Sequence, residues 1–209
     1  MNERYRRPAG LSGLQRIVVP FLLALFLSAC ALGPKPHTEA TAAPPSGTLE
    51  FFSLEGRFSL RNDEKNYAGR LSWTHLAGGD ELLLSSPLGQ GMAKVTTDAA
   101  GAHLATNDGK TYSATDVEAL TLQVLGYPLP LGLLADWVRG RSARGAFGLP
   151  DASGRPLALQ QEGWRIAYEY DTEDSRALPA RLFVERDDGL QLRLRIDEWR
   201  AIDGAAALP

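Results

Sequence analysis

Few side chains in this 209-residue chain could begin a catalytic or metal-binding constellation. Cys30 is its only thiol, His75 and His103 are the only imidazoles beyond residue 37, and Asp187-Asp188 is its one pair of adjacent aspartates. Neither histidine has HxH or HExxH spacing, and no GxSxG or phosphate-loop pattern occurs. One cysteine can form neither an intramolecular disulfide nor a cysteine-based metal cage. Asp187-Asp188-Gly189 has the composition of a hairpin turn, not of a paired acid and base. These residues do not support an enzyme.

Cys30 has a different chemistry open to it. It closes the tetrapeptide Leu27-Ser28-Ala29-Cys30, which follows the apolar run Ile17–Leu27 and an arginine-rich start (Arg4, Arg6, Arg7, Arg16). That order is a secretory signal. The apolar run is short for a bilayer span, and Pro20 interrupts it. The tetrapeptide resembles the bacterial lipobox: an aliphatic residue, two small residues that admit a peptidase, and a cysteine whose thiol accepts a diacylglycerol. The freed Cys30 amine can take a third chain. The expectation is a signal peptide over 1–29 and a mature chain of 180 residues beginning at lipidated Cys30, with no cofactor beyond these covalent chains. Each buried methylene contributes about 0.8 kcal/mol, so two or three chains make a lasting anchor. Ala31, where an aspartate in enterobacterial lipoproteins tends to mean inner-membrane retention, implies by resemblance the periplasmic side of the outer membrane.

The formal charge of −3 hides an asymmetry. Without residues 1–29, with their four arginines and one glutamate, 18 basic side chains face 24 acidic ones, about −6. No basic surplus remains to displace phosphate counterions, which argues against a nucleic-acid partner. Residues 30–48 carry Pro34, Pro36, Pro44 and Pro45 among small and polar residues and cannot build a core. They read as a tether, about 20–25 Å as a coil and about 60 Å when drawn out.

From Phe51 the pattern changes to period two. Phe52, Leu54, Phe58 and Leu60 alternate with Ser53, Glu55, Arg57 and Ser59, the mark of a strand with one apolar face. Further strands are predicted at Tyr67–Trp73, "ELLLSS", "GMAKVTTD" and the hairpin "AHLATNDGKTYSA". Thr115 and Glu118 have capping-box spacing for a helix carrying Leu120, Val124 and Leu125, which Gly126 and Pro128 stop. A second helix should place Leu133, Leu134, Trp137 and Val138 on one side. Strands return at Trp164–Tyr170 and in the hairpin "ARLFVERDDGLQLRLRIDEW". The order is roughly six strands, two helices and three or more strands in one domain over 49–200, with a tail over 201–209. One-sided strands need a cover, and the mid-chain helices supply it. Periodicity leaves open whether the space beneath them is packed or hollow.

Together the lipobox, "GRFSL", "YAGRLSW", "ELLLSSPLGQGMAKV", "NDGKTYSATDVEALTLQVLGYPLPLGLLADWVRGR" and "LQLRLRIDEW" resemble the LolB family over most of residues 50–199. The resemblance implies a mainly β, α+β fold: a curved antiparallel sheet forming an incomplete, unclosed barrel, with mid-chain helices as a lid over a hydrophobic cavity. It implies an outer-membrane lipoprotein that accepts lipoproteins from the periplasmic carrier LolA, shelters their acyl chains, and inserts them into outer-membrane phospholipid. Exposing an acyl chain of about fifteen methylenes to water costs on the order of 12 kcal/mol, which is why such a route needs a sleeve. A mouth-to-mouth handover suits a monomer.

Leu88, between Pro87 and Gly89, is ambiguous by composition, since a leucine beside a bend usually folds into the core. The resemblance instead implies a protruding loop, with Pro87, Leu88 and Gly89 forming a membrane-insertion tip. For cavity lining the expected residues are Phe58, Trp73, Leu82, Leu84, Leu133, Trp137, Tyr168 and Phe183, with ordinary core as the alternative for each. Arg57, Arg70, Arg139 and Arg141 could rim a mouth facing an acidic carrier, while Arg193 and Arg195 read as a solvated sheet face. The competing reading is a lipid-binding or structural outer-membrane lipoprotein without transfer activity.

Overall fold

The structure is a computed structural model that describes residues 49–62, 65–142 and 146–203. The expected signal peptide, Cys30, the tether and positions 204–209 of the tail lie outside the described residues. Alternating apolar residues build strands β1 (Phe52–Arg61), β2 (Asn66–Leu76), β3 (Gly79–Ser85), β4 (Gly91–Asp98), β5 (Gly101–Thr106) and β6 (Thr111–Ala114). Helices α1 (Val117–Leu125) and α2 (Leu131–Val138) follow. Then come β7 (Phe147–Pro150), β8 (Pro156–Gln161), β9 (Trp164–Glu169), β10 (Arg181–Arg186) and β11 (Gln191–Ala201).

All eleven strands form one antiparallel sheet in the order β6-β5-β4-β3-β2-β1-β11-β10-β9-β8-β7. β6 and β7 are its two edges and do not pair with each other, so the sheet is curved but not closed. The unclosed mainly-β architecture is the one expected. Five strands follow the helices, within the expected three or more; β7 and β8 are the two not placed individually, because they carry no period-two signal. β7 reads Phe-Gly-Leu-Pro and is exposed throughout, and β8 opens on Pro156.

The helices also differ in detail from the sequence reading. The α1 cap is Asp116, whose carboxylate accepts the Ala119 amide at 2.8 Å, while Thr115 donates to Asp116. An aspartate one residue on caps as well as a threonine and adds a charge that suits the helix N-terminus. Gly126, at φ 91°, ends α1 as expected, donating its amide to the Leu122 carbonyl. In α2 the fully buried residues are Leu131, Ala135, Trp137 and Val138, with Leu133 and Leu134 half-buried beside them.

Packing divides the interior into two apolar clusters. The larger gathers Phe52, Leu54, Trp73, Trp137, Trp164, Ile166, Leu182 and Leu194 from β1, β2, α2 and β8–β11. The smaller consists of Ala102, Leu104 and Leu120, where α1 lies on β5, with Ala93, Val95, Tyr112 and Val124 around it.

Candidate functional site

One cross-sheet row on the inner face shows where the two clusters meet. Register places Trp199, Leu54, Trp73, Leu82, Val95, Leu104 and Tyr112 side by side from β11 through β1 to β6. Trp199, Leu54 and Trp73 are buried, Leu82 and Val95 are half-buried, and Leu104 is buried again beneath α1. Leu82 and Leu84 pack with the larger cluster, whereas their cross-strand partners Val95 and Ala93 pack with the smaller one. Val117 of α1 touches both. A seam of partly uncovered apolar side chains therefore runs along the β3–β4 boundary beneath the helices.

The β3–β4 connection stands at one end of this seam. Ser86 and Gly89 are bonded across a tight turn, with the Gly89 amide donating to the Ser86 carbonyl at 2.8 Å and the Ser86 amide to that of Gln90 at 2.8 Å. Gly89 has φ 86°, a left-handed conformation that glycine adopts without strain. Pro87 sets the other side of the bend. Leu88 is left 90% exposed at the tip, with no core contact to explain its side chain. The composition-based alternative, a leucine folded inward, is not the arrangement observed.

Polar residues gather at the opposite end of the seam. The Trp73 indole donates to Asp80 at 2.7 Å, His75 Nδ1 lies 2.7 Å from the same oxygen, and Thr97 donates to the other oxygen at 3.3 Å. Asp80, Thr97, Asp98, Asp116 and Glu118 line an open pocket of about 300 Å³ with Val117 and Leu131. Nearby, Arg139 is buried and donates to the carbonyls of Leu49, Glu50 and Ala135 and to the Asp136 carboxylate. Burial pulls its pKa below the ordinary guanidinium value, with Arg141 adding to the effect. This side chain ties the end of α2 to the Leu49–Glu50 backbone just before β1 and is no part of an exposed rim. Arg57 pairs with Asp197, and Arg195 with Asp171, on the outer face.

The eight residues expected around an acyl cavity divide three ways. Leu82 and Leu84 are half-buried on the seam, and Phe58 and Leu133 are half-buried against the larger cluster. Trp73, Trp137 and Tyr168 lie in the closed interior, where Trp137 donates to Gln161 at 3.0 Å and stacks at a tilt on Trp164. Phe183 is a correction. It pairs with Arg193 and Ala167, its neighbours Leu182 and Val184 face inward, and the Arg193 guanidinium lies over its ring at 5.9 Å on the outer face. Strand alternation puts Phe183 there, and register was the missing information. Sequence reasoning missed Ala93, Val95 and Val117 at the seam, whose modest size gave no signal. Among the described residues no group of three or more His, Cys, Asp or Glu could hold a metal ion. No helix among them is long and apolar enough to cross a membrane.

Comparison with known proteins places this geometry. A family model described as Outer membrane lipoprotein LolB matches residues 50–199. The chain is 42% identical over 170 residues to the outer-membrane lipoprotein LolB of Dechloromonas aromatica, covering 76% of this chain and 90% of that one. It is 39% identical over 189 residues to the LolB of Chromobacterium violaceum, covering 88% and 99%. The similarity therefore spans the relatives nearly end to end.

Proposed function

The chain belongs to the LolB family of outer-membrane lipoproteins, and from that membership and the seam we propose a route for lipoprotein delivery. In this reading the protein accepts the acyl chains of another lipoprotein from the carrier LolA. It holds them along the β3–β4 seam under α1 and α2 and releases them into outer-membrane phospholipid. Cys30, carrying a diacylglycerol and an N-acyl chain, anchors it to that membrane, and the 31–48 tether gives the domain reach.

The observation that carries the proposal is the split core. One continuous packed interior would have to break many contacts to admit a guest, whereas α1, whose Val117 packs on both clusters, can lift to uncover the seam between them. Loading then replaces half-exposed contacts at Leu82, Leu84, Val95 and Phe58 with contacts to methylenes. No nucleotide is needed if the chains are held more favourably at each step, from carrier to seam to bilayer. Leu88 stands at the seam's end, so an apolar tip enters the headgroup boundary where the chains leave. Uptake of a fluorescent long-chain fatty acid, displaced by an added lipoprotein, is the expected behaviour of the purified protein. Absence of uptake would leave a tethered lipoprotein without a sleeve.

A further inference from the structure

Two buried phenols lack hydrogen-bond partners. The hydroxyls of Tyr127 and Tyr168 are shut away from solvent and find no partner among the described residues. A buried, unpaired hydroxyl destabilises a fold, and an apolar site normally replaces it with phenylalanine. The surroundings of the two differ. Tyr168 lies on β9 against Leu182, deep in the closed half of the interior. Tyr127 sits on the connection between α1 and α2, flanked by half-buried Leu125 and Leu129. It is close enough to the Tyr67 phenol for that group to help burial raise its pKa.

Tyr67 packs on the same apolar cluster as Tyr127 and marks the end of the sheet nearest this hydroxyl. The last β2–β3 pair joins Arg70 to Ser85, and β2 runs on past it to Asn66. Tyr67 is on this overhang, at the end of the sheet that carries the 86–90 tip. Tyr127 therefore holds an idle donor at the end through which chains would pass, where the polar linkage of a guest lipid comes to rest once its methylenes fill the seam.

We propose that Tyr127 is a specificity residue whose hydroxyl donates to an ester carbonyl of the guest's diacylglyceryl group. The site thereby distinguishes acyl from alkyl chains. This rests on the seam being the lipid site.

The test compares a dipalmitoyl S-glyceryl cysteine with its dialkyl ether analogue, which lacks both carbonyls, as competitors of a bound fluorescent fatty acid. One net hydrogen bond predicts about a five-fold preference of the wild-type protein for the ester. Tyr127→Phe should abolish that preference, with ether affinity unchanged and thermal stability equal or higher. Tyr168→Phe, the control in the closed half, should raise stability and keep the preference. A wild-type protein that binds both lipids equally, or a Tyr127→Phe variant that retains the preference, overturns the role of the hydroxyl while leaving the sleeve intact. Binding of neither lipid removes the sleeve and this inference with it.

Discussion

The Trp73 indole nitrogen donates to the Asp80 carboxylate at 2.7 Å, and both groups are buried where β2 turns into β3. The same carboxylate engages His75 and Thr97, and its backbone amide donates to the Thr97 hydroxyl at 2.9 Å. It therefore pins three strands at the polar end of the seam, and Asp80→Ala leaves Trp73 and His75 without their acceptor. The expected loss is about 2–4 kcal/mol in urea unfolding. Asp80→Asn, which keeps one acceptor oxygen, should lose markedly less.

Arg139 fastens the far end of α2 through the Leu49 and Glu50 carbonyls, at 3.2 and 2.6 Å, and stacks over Phe52 at 5.6 Å. Arg139→Met preserves much of the bulk and removes every donor, leaving buried carbonyls unpaired. A loss of about 2–3 kcal/mol is expected. Faster hydrogen exchange confined to residues 131–140 and 49–52 would show that the tie is local. Unchanged exchange there would contradict it.

Leu88 makes no core contact, so Leu88→Glu should change stability by less than about 0.5 kcal/mol. Fatty-acid uptake should also be intact, because the seam is untouched. Delivery of a bound lipoprotein into phospholipid vesicles should fall severalfold, since a carboxylate resists the headgroup boundary. Leu88→Ile, retaining an apolar tip, should deliver nearly as well as the wild type.

Alkaline pH probes the buried phenols. Burial raises the pKa of Tyr168 and raises that of Tyr170 to about 12, against an ordinary value of about 10. In the unfolded chain both ionise near pH 10, while in the folded protein they stay neutral well beyond it. Their contribution is complete below pH 10 and is lost as pH climbs from there towards 12. Urea midpoints should fall over that interval, and less steeply in a Tyr168→Phe/Tyr170→Phe double variant. An equally steep fall in the double variant would assign the transition to other groups.

Much of the fold was legible in the sequence because one-sided strands announce themselves. Phe52–Leu60 and Leu190–Ile196 alternate so cleanly that their shared inner face follows directly, and Gly126 marks the end of α1. β7 was hidden because an exposed edge strand has no apolar side to alternate with, as Phe147 and Leu149 show at 79% and 69% exposure, and β8 because it opens on Pro156 and its buried face pairs Leu159 with polar Gln161. The site was legible in kind but not in position. Phe183 looked like a lining residue on size alone, and only its pairing with Arg193 turns it outward. The seam itself is a property of cluster boundaries, which depend on how Leu82 meets Val95 across two strands.

The most direct test of the central claim is transfer itself. A radiolabelled lipoprotein bound to LolA is mixed with the mature, lipidated protein without nucleotide, and label on each protein is followed with time. The account predicts that label passes to this protein, and that a cysteine pair introduced between Val117 and its nearest β3 neighbour blocks the passage when oxidised and restores it on reduction. Label that stays on the carrier, or transfer that proceeds equally well with the cross-link closed, would contradict it.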